Sequence, residues 1–328
     1  MTGDLFIATS KGVVHSQGRG FDWDIVGTSL DDHVATSITG RRRTIFAGTT
    51  SGIFRSVDLG QNWEGASIGI SEKHIRWLSH HPDYPDLILA GAEPAAIYVS
   101  EDGGDHLTNK PEIEDLRDRF KWFLPYSSGE GCVRGFAFQG NRLYAAVEVG
   151  GLLSSDDRGR SWQLVQASDG IPKFGTPKQN AIHPDVHSVA SQPSSPDLIF
   201  APTGGGFFVS IDGGSSFEQR YPPCYCRAVW VDPDEPDHMI LGPASGVDRE
   251  GRIMETADAG ATWQSIEDGS SAPWDRHMVE RFYALDQHLL AILSNGELIA
   301  AEFGQWKWRR LFAGMDRINA VVAIPSRK

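Results

Sequence analysis

Ser155-Asp156-Asp157-Arg158-Gly159-Arg160-Ser161-Trp162 is the stretch that decides the fold. It has the form Ser/Thr-x-Asp-x-Gly-x-x-aromatic, and these residue types suit a tight hairpin turn. The hydroxyl and the carboxylate can satisfy the turn's own amides, and glycine takes a backbone conformation that other residues resist. The terminal aromatic is then placed to enter the core beside the next unit. The pattern returns at Ser56, Asp58, Gly60 and Trp63, and at Ser100, Asp102, Gly104 and Leu107. It returns again at Ser210, Asp212, Gly214 and Phe217, and at Thr256, Asp258, Gly260 and Trp263. An early copy (Ser16, Gly20, Trp23) has Gly18 in place of the aspartate, and a decayed one lies around Phe303, Trp306 and Trp308. The interval of roughly 40 to 55 residues is the period of propeller blades.

Working outward, a glycine-containing hairpin precedes each motif, as in residues 46–54, 144–152 and 200–208. A third short apolar run, such as 76–79 or 227–230, comes before that. Each unit therefore predicts four short strands, A to D. Six copies and one relic predict an all-β fold: a single seven-bladed β-propeller of four-stranded antiparallel blades, one domain over residues 1–328. The N-terminus supplies only three strands (5–8, 12–15, 22–26), and residues 318–324 form a strand with no hairpin after it. The C-terminal strand is thus predicted to complete the first blade, removing free sheet edges.

Composition narrows the functional classes. The net charge is -13, with 30 Lys+Arg against 43 Asp+Glu, which argues against nucleic acid as a partner. No stretch approaches the ~20 apolar residues that span a bilayer, so no membrane association is expected. The start, Met1-Thr-Gly-Asp-Leu-Phe-Ile7, lacks the basic and long apolar regions of a signal peptide. Cys132, Cys224 and Cys226 are an odd set with no disulfide framework, and together these features lead to an expected cytoplasmic location.

The turn motif resembles the Asp-box (BNR) repeat of sialidases, xyloglucanases, sortilin-type receptors and photosystem II assembly factors, and the resemblance covers essentially the whole chain. It implies a propeller in which Asp58, Asp102, Asp157, Asp212 and Asp258 are structural. Sialidases have six blades and a Phe-Arg-Ile-Pro segment near the start, and this chain has neither. Xyloglucanases use two tandem propellers, against one here. The single seven-bladed assembly factors, with their arginine patch, are similar in layout, although they are exported.

Alignment of the units on their A strands yields a column of Val34 (or His33), Arg76, Arg134, His187, Arg227, Glu280 and Asn319. The B-to-C turns yield a second column, in which only Glu93 and Glu148 are charged. Both columns belong to one face, as do the long connections 108–131, with a short helix expected at 112–123, and 166–186. These features predict a funnel in which Arg76, Arg134, Arg227, Glu280 and Asn319 bind a small anionic or carbohydrate-like ligand. Glu93, Glu148 and His187 would move protons, as in a hydrolase or lyase. The alternative is a non-catalytic propeller that docks a protein partner on the same face. No cofactor is expected. The run His183-Pro-Asp-Val-His187 suggests a metal, but the proline breaks a helical i,i+4 presentation, so no metal ligand is assigned.

Overall fold

The computed structural model describes residues 3–173 and 175–325; residues 1, 2, 174 and 326–328 lie outside that description. The chain is an all-β, seven-bladed propeller, and each blade is a four-stranded antiparallel sheet. Blade one orders its strands Ile318–Ile324, Gly3–Thr9, Gly12–Arg19 and Asp22–Ser29. The C-terminal strand does complete it, pairing antiparallel from Asp4 with Ile324 to Thr9 with Ile318. The helix on the long connection runs over Pro111–Phe120, shorter at its C-terminal end than the sequence suggests. Its proline lies in the first turn, and the left-handed Lys121 stops it, with Trp122 N–H donating to the Arg117 carbonyl. Among the described residues, no helix is long and apolar enough to cross a membrane.

The five complete turn motifs share one hydrogen-bond pattern. The Ser or Thr hydroxyl donates to the aspartate at 2.8 Å in every copy. It also accepts the glycine N–H at 2.8–3.0 Å. The carboxylate accepts the N–H four residues on, at Asn62, His106, Ser161, Ser216 and Thr262. The hydroxyl and the carboxylate thereby answer most of the turn's donors locally, and the N–H after the aspartate goes to a carbonyl of the preceding hairpin, as Arg158 to Asn141. Glycine is required at Gly104, where φ is +95° and a Cβ would come within 2.5 Å of the Phe46 ring. The terminal side chains Leu107, Trp162, Phe217, Trp306 and Trp308 are buried, whereas Trp23, Trp63 and Trp263 are half-buried.

The chain divides into two compact units. The second comprises Pro94–Ala96 and Lys110–Phe282, and so holds blades four, five and six with the first part of the strand Val279–Leu285. The first holds blades one to three and the rest of blade seven. In the first unit, Leu5, Ile7, Leu290, Ile292 and Leu298 share one buried cluster, while Phe6, Ala8, Ile45 and Ala320 share another. In the second, Tyr144, Leu152, Val186, Ile199 and Phe208 pack together.

Candidate functional site

The inward polar column has a backbone cause. The innermost strand carries one extra residue near its start, a β-bulge, in blades one to four and in blade six. The register skips at Asn319 in blade one, Thr36 in blade two, Arg76 in blade three and Arg134 in blade four. In blade six it skips between Cys226 and Val229, around Arg227. In blade five, Val186 faces Thr203 and Ala190 faces Phe200, so one extra residue falls within 187–189. A bulge re-aims the side chain it carries, and here it sets the polar residue apart from the alternation of its strand. Thr36, rather than Val34 or His33, is therefore the blade-two member of the column.

In the second unit, Arg134, Arg227, Glu148 and Glu280 form one continuous network. Arg134 donates to Glu148 Oε2 at 2.9 Å and to Glu280 Oε2 at 3.1 Å. Arg227 donates to Glu280 Oε1 and, at 3.2–3.3 Å, to the Tyr225 hydroxyl. Glu148 Oε2 also accepts from the Tyr126 hydroxyl at 2.8 Å and from the Cys132 thiol at 3.3 Å. Both arginine side chains are 12% exposed, and Glu148 only 3%. Burial alone would raise the Glu148 carboxyl, but Arg134, His187 and the hydrogen bonds from Arg134 and Tyr126 outweigh it and hold it well below the usual range. Glu280 is likewise pushed up by burial and pulled further down by Arg227 and Arg134.

His187 joins this network from the side. Its Nδ1 lies 2.9 Å from the Cys226 carbonyl oxygen, which can only accept, so Nδ1 carries the proton. Its Nε2 lies 3.2 Å from Asp185 Oδ2 and 3.2 Å from the Tyr225 hydroxyl. Burial raises the Asp185 carboxyl, and His187 outweighs that and lowers it. The Tyr225 hydroxyl is pushed up to about 12, by burial above all. Asp185, Tyr126 and Tyr225 were not among the sequence-derived candidates. Asp185 had a readable signal: the segment is extended, with Gly204 N–H donating to the Asp185 carbonyl and His187 N–H to the Pro202 carbonyl. In an extended segment alternate residues share a side, so the i,i+2 spacing of His183, Asp185 and His187 presents them together.

The remaining candidates lie in the first unit and make their own, smaller contacts. Arg76 is 3.3 Å from Glu93 Oε2, with His74 at 3.7 Å from the same oxygen. Burial and Arg76 lower the His74 ring. Asn319 donates its side-chain amide to the Ala35 carbonyl at 2.7 Å. Blade two's Thr36 uses its hydroxyl in the same way, on the carbonyls of Gly48 and Ile75. Of the remaining cysteines, Cys226 is buried and its thiol is raised well above the usual value by burial, which suits an inert packing residue.

No family model and no curated protein matches the chain. Among solved structures it is similar to the GH74 xyloglucanase from Xanthomonas campestris, with a TM-score of 0.63 and 18% identity over 95% of this chain and 47% of that one. It is similar to YCF48 from Cyanidioschyzon merolae, with a TM-score of 0.61 and 14% identity over 90% of each chain. A structure of YCF48 bound to D1 peptide matches with a TM-score of 0.60 and 13% identity over 90% of this chain and 89% of that one. The chain spans 38–47% of the length of the GH74 enzyme structures it matches. Xyloglucanases are among the propellers whose repeat the sequence resembles, and at these identities the likeness is one of fold.

Proposed function

We propose that this chain is a polypeptide-binding propeller, and that the docking surface is built by the long connections of the second unit beside the Arg134–Glu148 network. The observation that carries this is Tyr126, whose ring is 53% exposed while its hydroxyl is anchored on Glu148. Phe123 is 40% exposed on the same connection, and Ile171 is 38% exposed on the connection 166–186. The two connections are tied together by the buried Trp122, whose indole N–H donates to the Gly170 carbonyl at 2.8 Å. Anchored, exposed aromatic and aliphatic side chains on ordered loops are what polypeptide interfaces use as their central contacts. With the chain at -13, apolar side chains flanked by basic ones suit the partner segment.

The charge state of the network supports binding over acid catalysis. A glycosidase keeps one carboxylic acid protonated to serve the leaving group. Glu148, Glu280 and Asp185 are instead all held ionised. Glu148 and Glu280 also accept from Arg134 and Arg227, so these guanidinium groups, expected to hold a small anion, are already engaged. The full-length likeness to a propeller solved with a bound peptide points the same way. One feature favours the enzyme reading: the Asp185 carboxyl and the Tyr225 hydroxyl both lie 3.2 Å from His187 Nε2, a convergence of proton-handling groups.

The test is a peptide-display selection on the purified chain, followed by fluorescence anisotropy of selected peptides. The paired variant Phe123→Ser and Ile171→Ser should weaken binding by roughly tenfold or more with an unchanged melting temperature. Peptide binding indifferent to both substitutions, or turnover of a carbohydrate that Glu148→Gln abolishes, would sink the proposal.

A further inference from the structure

Glu148, Asp185 and His187 are buried together, and one ligand atom from each lies within 4.8 Å of the others. Three independent features show that this convergence is built to hold something positive. First, Nδ1 donates its proton to the Cys226 carbonyl, which fixes the ring with Nε2 3.2 Å from Asp185 Oδ2. A ring nitrogen fixed by a backbone carbonyl on its far side is how metal-binding histidines are oriented. Second, the Asp185 Oδ1 atom is buried and has no hydrogen-bond partner, in a residue only 7% exposed. An ionised oxygen left so costs free energy unless a cation answers it. Third, the three hydrogen bonds that Glu148 accepts all fall on Oε2, which leaves Oε1 for another partner.

The backbone makes room for the cluster. A Cβ on Gly204 would come within 2.2 Å of Asp185 Oδ2, and one on Gly205 within 2.4 Å of the His183 ring. The Gly204-Gly205 turn therefore lets this segment approach as no other residue pair would. The local composition agrees: two guanidinium groups (Arg134, Arg227) face three carboxyl groups (Glu148, Glu280, Asp185). That balance suits a cation and not a second anion.

We infer that Glu148, Asp185 and His187 form a binding site for a divalent first-row metal ion, through one imidazole nitrogen and two carboxylate groups. Mixed nitrogen and oxygen donors of this kind suit Zn²⁺ or Mn²⁺. The ion would bind Nε2 in place of the Tyr225 hydroxyl proton, and it would give Asp185 Oδ1 the partner it lacks. Asp185 and His187 are not part of the proposed docking surface, so substitutions at these two residues test metal binding separately from peptide binding.

The experiment uses the full chain stripped of metal, dialysed against Zn²⁺ and separately against Mn²⁺, with bound metal counted by plasma mass spectrometry. One ion per chain is expected for one of the two metals, with Asp185→Asn and His187→Gln each weakening binding at least roughly tenfold. His238→Gln, which alters a separate histidine held between Asp232 and Glu255, should leave the stoichiometry unchanged. Should the substitutions in the cluster unfold the chain, anomalous diffraction from wild-type crystals decides, with a peak expected about 2.0–2.2 Å from all three side chains. Absence of a bound ion with both metals, or an ion retained in Asp185→Asn and lost in His238→Gln, overturns the inference.

Discussion

The same bulged position on the innermost strand does two different jobs in the two units. In the first unit it carries Thr36 and Asn319, which turn to backbone carbonyls, and Arg76, which meets Glu93. In the second it carries Arg134 and has Arg227 beside the skip, and these two bridge Glu148 and Glu280 into one buried ionic network. The backbone device is shared, and what differs is the length and charge of the side chain it presents. A short polar residue spends its hydrogen bonds sewing neighbouring strands together. A guanidinium long enough to reach past its own blade, as at Arg134, joins a carboxylate of that blade (Glu148) to one from another (Glu280). The fold supplies the position, and the residue placed there decides between a structural stitch and a charged site.

The contrast can be broken most severely at Arg134. Arg134→Met leaves Glu148 and Glu280 short of a buried partner, and a loss of ~3–5 kcal/mol is expected in urea unfolding. Arg76→Met should cost only about 1 kcal/mol, because that pair is partly exposed and His74 remains beside Glu93. Equal losses would show that the two units are not differently organised. The acid side of the same contrast follows from linkage. A carboxyl with a depressed folded value stabilises the fold above its ordinary value of 4.5, and that contribution is lost as pH falls through the depressed value. At the mild end, Asn319→Leu removes one amide donor from the Ala35 carbonyl, and about 1 kcal/mol is expected. An unchanged midpoint would mean that this stitch contributes nothing.

How much of this was legible depended on whether the information was local. The turn motif was, because the side-chain hydrogen bonds of Ser155 and Asp157 close within a few residues. The blade count and the return of the C-terminal strand followed from it. The column of inward residues was legible in outline, since Arg76, Arg134, Arg227 and Asn319 do mark skips in register. It slipped in blade two, because a bulge is set by the pairing of two strands and leaves no trace in one of them. Asp185 was missed for the same kind of reason, its importance arising from the approach of Gly204 some twenty residues on. The pairing of Arg134 with Glu280 spans 146 positions, and nothing near either residue announces it.

The claim on which the account turns is that the inward carboxylates of the second unit are ionised and held so. Carbon-13 NMR of glutamate side-chain carboxyls, followed from about pH 7 to about pH 3, reads this directly. Glu148 and Glu280, assigned through Glu→Gln variants, should stay unmoved while surface glutamates titrate near their ordinary value. Titration of either one at or above 4.5 would contradict the account and return the site to acid–base chemistry.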